Sequence, residues 1–228
     1  MIWARLRARV TTGEFARASL RMRLTNLNAS TIMEDVSILQ EGRAAVNARI
    51  AGNLQALRAR HELSLDALAA ASGVSRSALS LIERAESSPT AVVLDKIAAA
   101  LNVPLEALFK LQGAAAQPLA RRADQPVWRD PNSGYVRRSV SPPGTTSPIE
   151  IVEITLPPGA RVTFERAGRN RIIHQQLWVL EGAIDFTLGD ATHRLEIGDC
   201  FSLQLDRPTA YHNPTRKKAR YAVIDAEA

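Results

Sequence analysis

Residues 72–90 read SGVSRSALSLIERAESSPT, and the fold of the first half of the chain turns on them. Gly73 suits the left-handed conformation that ends many helices, because it has no Cβ to clash there. Ser64 and Ser75 each stand one step ahead of an apolar-periodic run, where a hydroxyl accepts from an otherwise unpaired helical N–H. The spacing therefore predicts a short helix from Leu65 that stops at Gly73, a tight turn, and a second helix after Ser75. Val74 and Leu79 fill the inside of the angle between them. Arg76, Ser77, Ser80, Leu81 and Arg84 are left on the outer face. Ser88 with Pro89 behind it reads as the N-cap and first position of the next helix.

Working outward, apolar residues recur at helical spacing on both sides of this unit. Val46, Ile50, Leu54 and Leu57 precede it, and Leu94, Ile97, Ala98 and Leu101 follow. Residues 41–110 are thus expected to form an all-α bundle. Residues 111–126 turn to small side chains (GAAAQPLARRAD) and read as a linker. From 127 to 228 short apolar runs such as IEIVEIT, LWVLEG and ARYAVID alternate with Gly, Pro and Asp turns, the pattern of antiparallel strands. The fold class is α+β in two separate domains, helical first and all-β second.

Composition narrows the function classes. The 228 residues include a single cysteine, Cys200, so no internal disulfide forms and a reducing cytoplasm is expected. No apolar run is long enough to span a bilayer. The formal charge is +6, yet residues 48–113 carry seven Lys/Arg against six Asp/Glu, so any polyanion binding there depends on where the basic groups sit. Residues 1–40 are Arg-rich and read as a poorly ordered extension, with Met33 as a plausible start in place of a transit peptide.

LSLDALAAASGVSRSALSLIERAESSPTAVVLDKIAAALNVPLEALF resembles the DNA-binding domain of the Xre/lambda-repressor class of helix-turn-helix regulators over about residues 46–110. The resemblance implies that the helix after Ser75 enters the major groove of an operator. Arg76 has the reach for guanine N7 and O6, while Ser75, Ser77 and Ser80 suit shorter contacts. Leu81 suits a thymine methyl or plain packing. Arg84 and Thr90 suit phosphates. Departures from the family pattern are Leu65, where relatives often carry a polar phosphate-binding residue, Leu81, where many carry Arg or Gln, and Ala85, which replaces the glycine usual after the IER segment, so that a differently shaped loop is expected there.

The repeated hairpins around Gly182, Gly189 and Gly198, with Gly159, Pro208 and Asn213, resemble a cupin barrel over about residues 127–226. Metal-binding cupins gather two His, a Glu and a further His. Carried onto this sequence, those positions hold Glu165, Ala167, Gln175 and Thr209, which leaves one potential ligand in four. His174 and His212 lie near these positions but with strand parity that turns their rings away. No metal, cofactor or catalytic residue is expected. The barrel should keep a pocket lined by Glu165, Gln175, Leu177, Val179 and Thr209, suited to a small organic molecule. Arg161 and Arg171 are candidates at its mouth, with solvation the preferred reading, and Cys200 is read as an inert buried thiol in preference to an oxidation reporter.

The resulting expectation is a cytoplasmic, homodimeric transcriptional regulator that binds a double-stranded operator and senses a small-molecule effector through the barrel. Two alternatives stand beside it: a non-haem iron enzyme of the helix-turn-helix/cupin epoxidase type, and an antitoxin-like protein-binding module.

Overall fold

The computed structural model describes residues 42–111, 113, 115–165 and 173–227. The expectations for residues 1–40 lie outside that range, as do those for Ala167 and Arg171. The described residues from Arg43 onward form one compact unit.

The helical half begins with α1 (42–60), whose Val46, Ile50 and Leu54 are buried. α2 (Leu65–Ser72) starts at Ser64, whose side chain accepts from the Ala67 amide, and stops at Gly73 with φ 67°. α3 (Arg76–Glu83) starts at Ser75, which accepts from the Ala78 amide. Two local solutions to the free-amide problem, with only Gly73, Val74 and Ser75 between the helices, thus set the tight turn. Leu68, Val74, Leu79 and Ile82 fill the angle. α4 (Ala91–Ala100) is capped by Thr90, whose hydroxyl oxygen accepts from the Val93 amide. The expected Ser88-Pro89 start is therefore corrected by two residues: Pro89 is buried ahead of the helix, and the Ser88 hydroxyl meets Asn47 Oδ1 at 3.4 Å. Ala85 keeps the left-handed backbone of the glycine it replaces, with φ 55°, so the loop after α3 holds its shape at the cost of Cβ strain.

A bidentate pair locks α1 to α3: Arg58 Nε and Nη2 donate to the two Glu83 carboxylate oxygens at 2.6 and 2.9 Å. Asn53 Nδ2 donates to the carbonyls of Leu108 and Lys110, tying α1 to the short 3-10 segment Leu105–Leu108.

The second half holds ten strands: β1 (Val127–Arg129), β2 (Val136–Ser139), β3 (Ile149–Leu156), β4 (Arg161–Phe164), β5 (Ile173–Glu181), β6 (Ala183–Leu188), β7 (Ala191–Glu196), β8 (Cys200–Gln204), β9 (Thr209–His212) and β10 (Ala219–Glu227). They form a six-stranded sheet, β1-β2-β3-β10-β5-β8, and a four-stranded sheet, β4-β9-β6-β7, antiparallel throughout. Leu156, Leu177, Val179, Ile184 and Phe186 fill the space between them. Gly182 turns β5 into β6 at φ 74°, where a Cβ would lie 2.9 Å from the Lys218 carbonyl oxygen, so no other residue fits without moving the backbone. Asn213 is fully buried and acts as a knot, donating to the carbonyls of Leu156, Pro157 and Lys217 and accepting from Thr215.

The helical half and the barrel share a packed seam. The Ala91 amide, first in α4, donates to Asp130 Oδ1 from the β1–β2 turn at 2.9 Å. Phe109, Trp128 and Tyr135 meet edge to face in series, with centroids 5.7 and 5.8 Å apart. Arg137 on β2 pairs with Glu106 of the 3-10 segment, its guanidinium 5.2 Å from the Phe109 ring centroid. Elements read as joined by a linker are thus also joined by side chains, far apart in sequence, that local patterning does not display.

Candidate functional site

Two features carry chemistry: the outer face of α3 and a cavity at one end of the barrel.

On α3, burial of Leu79 and Ile82 forces the remaining residues outward. Arg76 and Ser77 are exposed at its N-terminus, Leu81 is 38% exposed on the next turn, and Ser80 is half-buried. Arg76 Nε lies 3.1 Å from Asp66 Oδ1, but both side chains are mostly in solvent, so this pair is weak and exchangeable. Ser75 spends its acceptor on the cap and lies 3.2 Å from the Ser77 hydroxyl. Arg84 is engaged inside the protein: Nε and Nη2 donate to Glu86 at 2.8 Å each and Nη1 to Ser80 at 2.6 Å. The hydrogen bond to Glu86 raises the Arg84 pKa and lowers that of Glu86. A phosphate contact by Arg84 therefore requires exchange of an internal anion for an external one. Thr90 is half-buried and its oxygen is committed to the cap, which leaves its O–H as a donor. Leu65 packs partly buried against the core, which accounts for the missing polar residue there.

The cavity has a volume of about 260 Å³. Of the five residues expected to line it, Glu165, Gln175 and Thr209 do so. Leu177 and Val179 do not: they share the inward parity of Gln175 but sit deeper along β5, fully packed between the sheets. Parity fixes the face and says nothing about depth. Gln175 is held on both sides, with Nε2 donating to Asp225 Oδ1 at 2.8 Å and Oε1 accepting from the Tyr211 hydroxyl at 2.9 Å. Tyr211 stacks on Tyr221 with ring planes 3° apart. Burial pushes both tyrosine hydroxyls well above their usual range, so they remain neutral donors.

The other walls come from residues that motif reading missed. Arg137 lines the cavity at 5% exposure, its Glu106 partner beside it, and Asp95 of α4 is buried on the same wall. Burial pushes the Arg137 guanidinium down to about 10, with the charge of Asp225 the largest opposing influence, and it stays charged at neutral pH. Its Nε has no hydrogen-bond partner among the described residues. Alternation in YVRRSV and ARYAVID would have flagged Arg137 and Asp225 as inward-facing, since Asp225 shares parity with Tyr221 and Val223.

Glu165 lines only the mouth of the cavity, 71% exposed and 3.4 Å from Lys96, and the remaining candidates lie off it. Arg161 is exposed and takes no part. His174 is exposed, and His212 lies against Asp185 at 3.6 Å. Cys200 is exposed, which corrects the expectation of a buried thiol: it stands on the outward face of an edge strand. Among the described residues no group of three or more His, Cys, Asp or Glu is arranged to hold a metal ion, and no helix is long and apolar enough to cross a membrane.

A family model described as helix-turn-helix, HTH_3, matches residues 54–108. A crystal structure of an HTH_3 family transcriptional regulator from Vibrio cholerae is 29% identical, with a TM-score of 0.63, over 80% of this chain and 97% of that one. Residues 54–108 form a helix-turn-helix domain of the HTH_3 (Xre) type, and a domain of two antiparallel sheets follows it. The HTH-type transcriptional regulator SutR of Escherichia coli K12 is 29% identical over 160 residues, 70% of this chain and 84% of that protein. Hydroxypropylphosphonic acid epoxidase from S. wedmorenis covers 79% of the chain at 18% identity, with a TM-score of 0.39, too distant to bear on chemistry. In the Xre-type half the match takes in α2, α3 and α4, whose turn and caps were described above.

Proposed function

We propose that this protein is a cytoplasmic, one-component transcriptional regulator in which α3 reads an operator and the barrel cavity binds a small-molecule effector. The observation that carries the reading is the outer face of α3, where Arg76 and Ser77 stand free of the core at the end that enters the major groove in such domains. Arg76 reads a base edge, while Ser75, Ser77, Ser80 and Thr90 donate hydroxyls to phosphates or bases. Leu81 contacts a thymine methyl. Arg84 exchanges Glu86 for a phosphate.

The operator is obtained by selection from a random duplex pool, and binding is read by anisotropy. Arg76→Ala should cost about 1–3 kcal/mol on the selected site and relax preference at one base pair, whereas Arg84→Ala weakens all duplexes alike. Equal losses on selected and random duplexes for both variants would overturn the assignment.

Such a reader gains affinity and register by pairing. A homodimer is supported by the outer face of the six-stranded sheet, where Ile149, Ile151 and Trp178 are exposed in one antiparallel register across β3, β10 and β5. The enzyme alternative is disfavoured by the side chains themselves. Gln175 is engaged by Asp225 and Tyr211, Thr209 is neutral, and Glu165 faces Lys96 in solvent, so this donor set does not suit a divalent metal.

A further inference from the structure

One buried donor narrows the ligand class, on the reading that this cavity is the effector site. Arg137 lines the cavity at 5% exposure, and its Nε–H has no acceptor among the described residues. On the same guanidinium Nη2 donates to Glu106, and the group lies against the Phe109 ring. A buried donor on a charged group is costly to leave unmet. An occupant that brings an oxygen acceptor to Nε therefore gains what a hydrocarbon of the same shape forfeits. Water admitted to the site meets the same need, and only a ligand with an acceptor displaces it without losing the bond.

The charge of that acceptor follows from the same residue. Glu106 already matches the single positive charge of Arg137, so a ligand carboxylate would set two buried anions against one cation. A neutral oxygen, as in a ketone, ester, lactone or amide, makes the bond and adds no charge. An ammonium group offers Nε no acceptor at all. The walls beyond Arg137 suit an apolar body, since Ile154, Val162, Phe164, Leu205 and Val223 line the same space. Size sets the last limit. At about 30 Å³ per water, the cavity of about 260 Å³ equals about nine waters, room for about ten non-hydrogen atoms.

We infer that the cavity binds a compact, uncharged carbonyl compound, its oxygen accepting from Arg137 Nε and its apolar body packed against side chains of both sheets. Leu105 and Glu106 of the 3-10 segment and Asp95 of α4 line the same space, so an occupant also touches the helix-turn-helix half directly. The linker is not the only route between them.

The test is calorimetric titration of the full-length protein, without DNA, with two ketones of different shape, acetophenone and 2-octanone. Acetophenone is compared with cumene, benzoate and 1-phenylethylamine, which keep its outline but carry no acceptor, a negative charge and a positive charge respectively. 2-Octanone is compared with 2-methyloctane and octanoate. At least one ketone should bind one per chain, about tenfold or more tightly than its hydrocarbon and its charged analogues. Arg137→Lys keeps a cation beside Glu106 but removes the Nε–H, and should erase the advantage of the ketone over its hydrocarbon. On wild type alone, the infrared carbonyl band of the bound ketone should lie at lower frequency than in hexane, a shift that apolar packing does not produce. Binding of neither ketone, a ketone that binds no better than its hydrocarbon, a charged analogue that binds as tightly, an advantage that survives Arg137→Lys, or an unshifted carbonyl band would each overturn the inference. Were a charged analogue to occupy the cavity instead, the effector reading would stand and this inference alone would fall. Operator binding, measured separately, would still stand or fall on Arg76.

Discussion

The Arg137–Glu106 pair is the most exposed point of the account to a stability measurement, because both members are buried, at 5% and 8% exposure, and lie on opposite sides of the seam. Removing one partner strands a charge in a largely desolvated position. Glu106→Leu leaves the guanidinium without its carboxylate, and Arg137→Met leaves the carboxylate and strips the cation from above Phe109. Each should cost about 3–5 kcal/mol. At about 2–4 °C per kcal/mol for a unit of this size, Tm falls by roughly 6–20 °C. The double variant replaces both charges by apolar groups of similar volume and should cost about 2 kcal/mol or less, since neither desolvation penalty remains. Thermal and urea unfolding of the four proteins closes the cycle. Additivity within about 0.5 kcal/mol, as for independent sites, would refute the buried pairing and with it the mechanical link between the halves.

Two further outcomes follow. Trp178→Glu replaces the large apolar side chain of the proposed sheet interface by a charge and should convert a dimer to a monomer in sedimentation velocity, with the barrel's circular dichroism unchanged; a variant that still sediments as the dimer would move the interface elsewhere. Protein purified without chelators should carry no stoichiometric iron, manganese, nickel or zinc, and EDTA should leave Tm unchanged; one tightly held metal per chain by elemental analysis would restore the enzyme reading.

What could be read in the sequence was what is decided within a few residues. Ser64, Gly73 and Ser75 each answer a local question, which amide is unpaired or which backbone needs no Cβ, and each stands where the spacing put it. The start of α4 was misplaced because Ser88 and Thr90 are both competent caps. What favours Thr90 includes Asp130, forty residues downstream by rough count, which takes the Ala91 amide. In the barrel, the resemblance to metal-binding cupins put Gln175 and Thr209 inside and alternation added Leu177 and Val179, but depth along β5 depends on where the cavity begins, and those two fall beyond it. Arg137 was passed over because an arginine beside a second arginine usually faces solvent; its burial is set by Glu106, a partner no local period reveals.

The central claim is that the cavity and the DNA-reading face form one coupled system. Its most direct test is the operator Kd measured with and without a saturating concentration of a small molecule that native mass spectrometry shows bound to the wild-type protein, for wild type and for Gln175→Leu, which removes the amide that Asp225 and Tyr211 hold in the cavity. The account predicts a change of about 5-fold to 150-fold in wild type and none in Gln175→Leu, with ligand-free affinity nearly equal in the two. An operator Kd unaffected by a ligand that demonstrably occupies the wild-type cavity would contradict it.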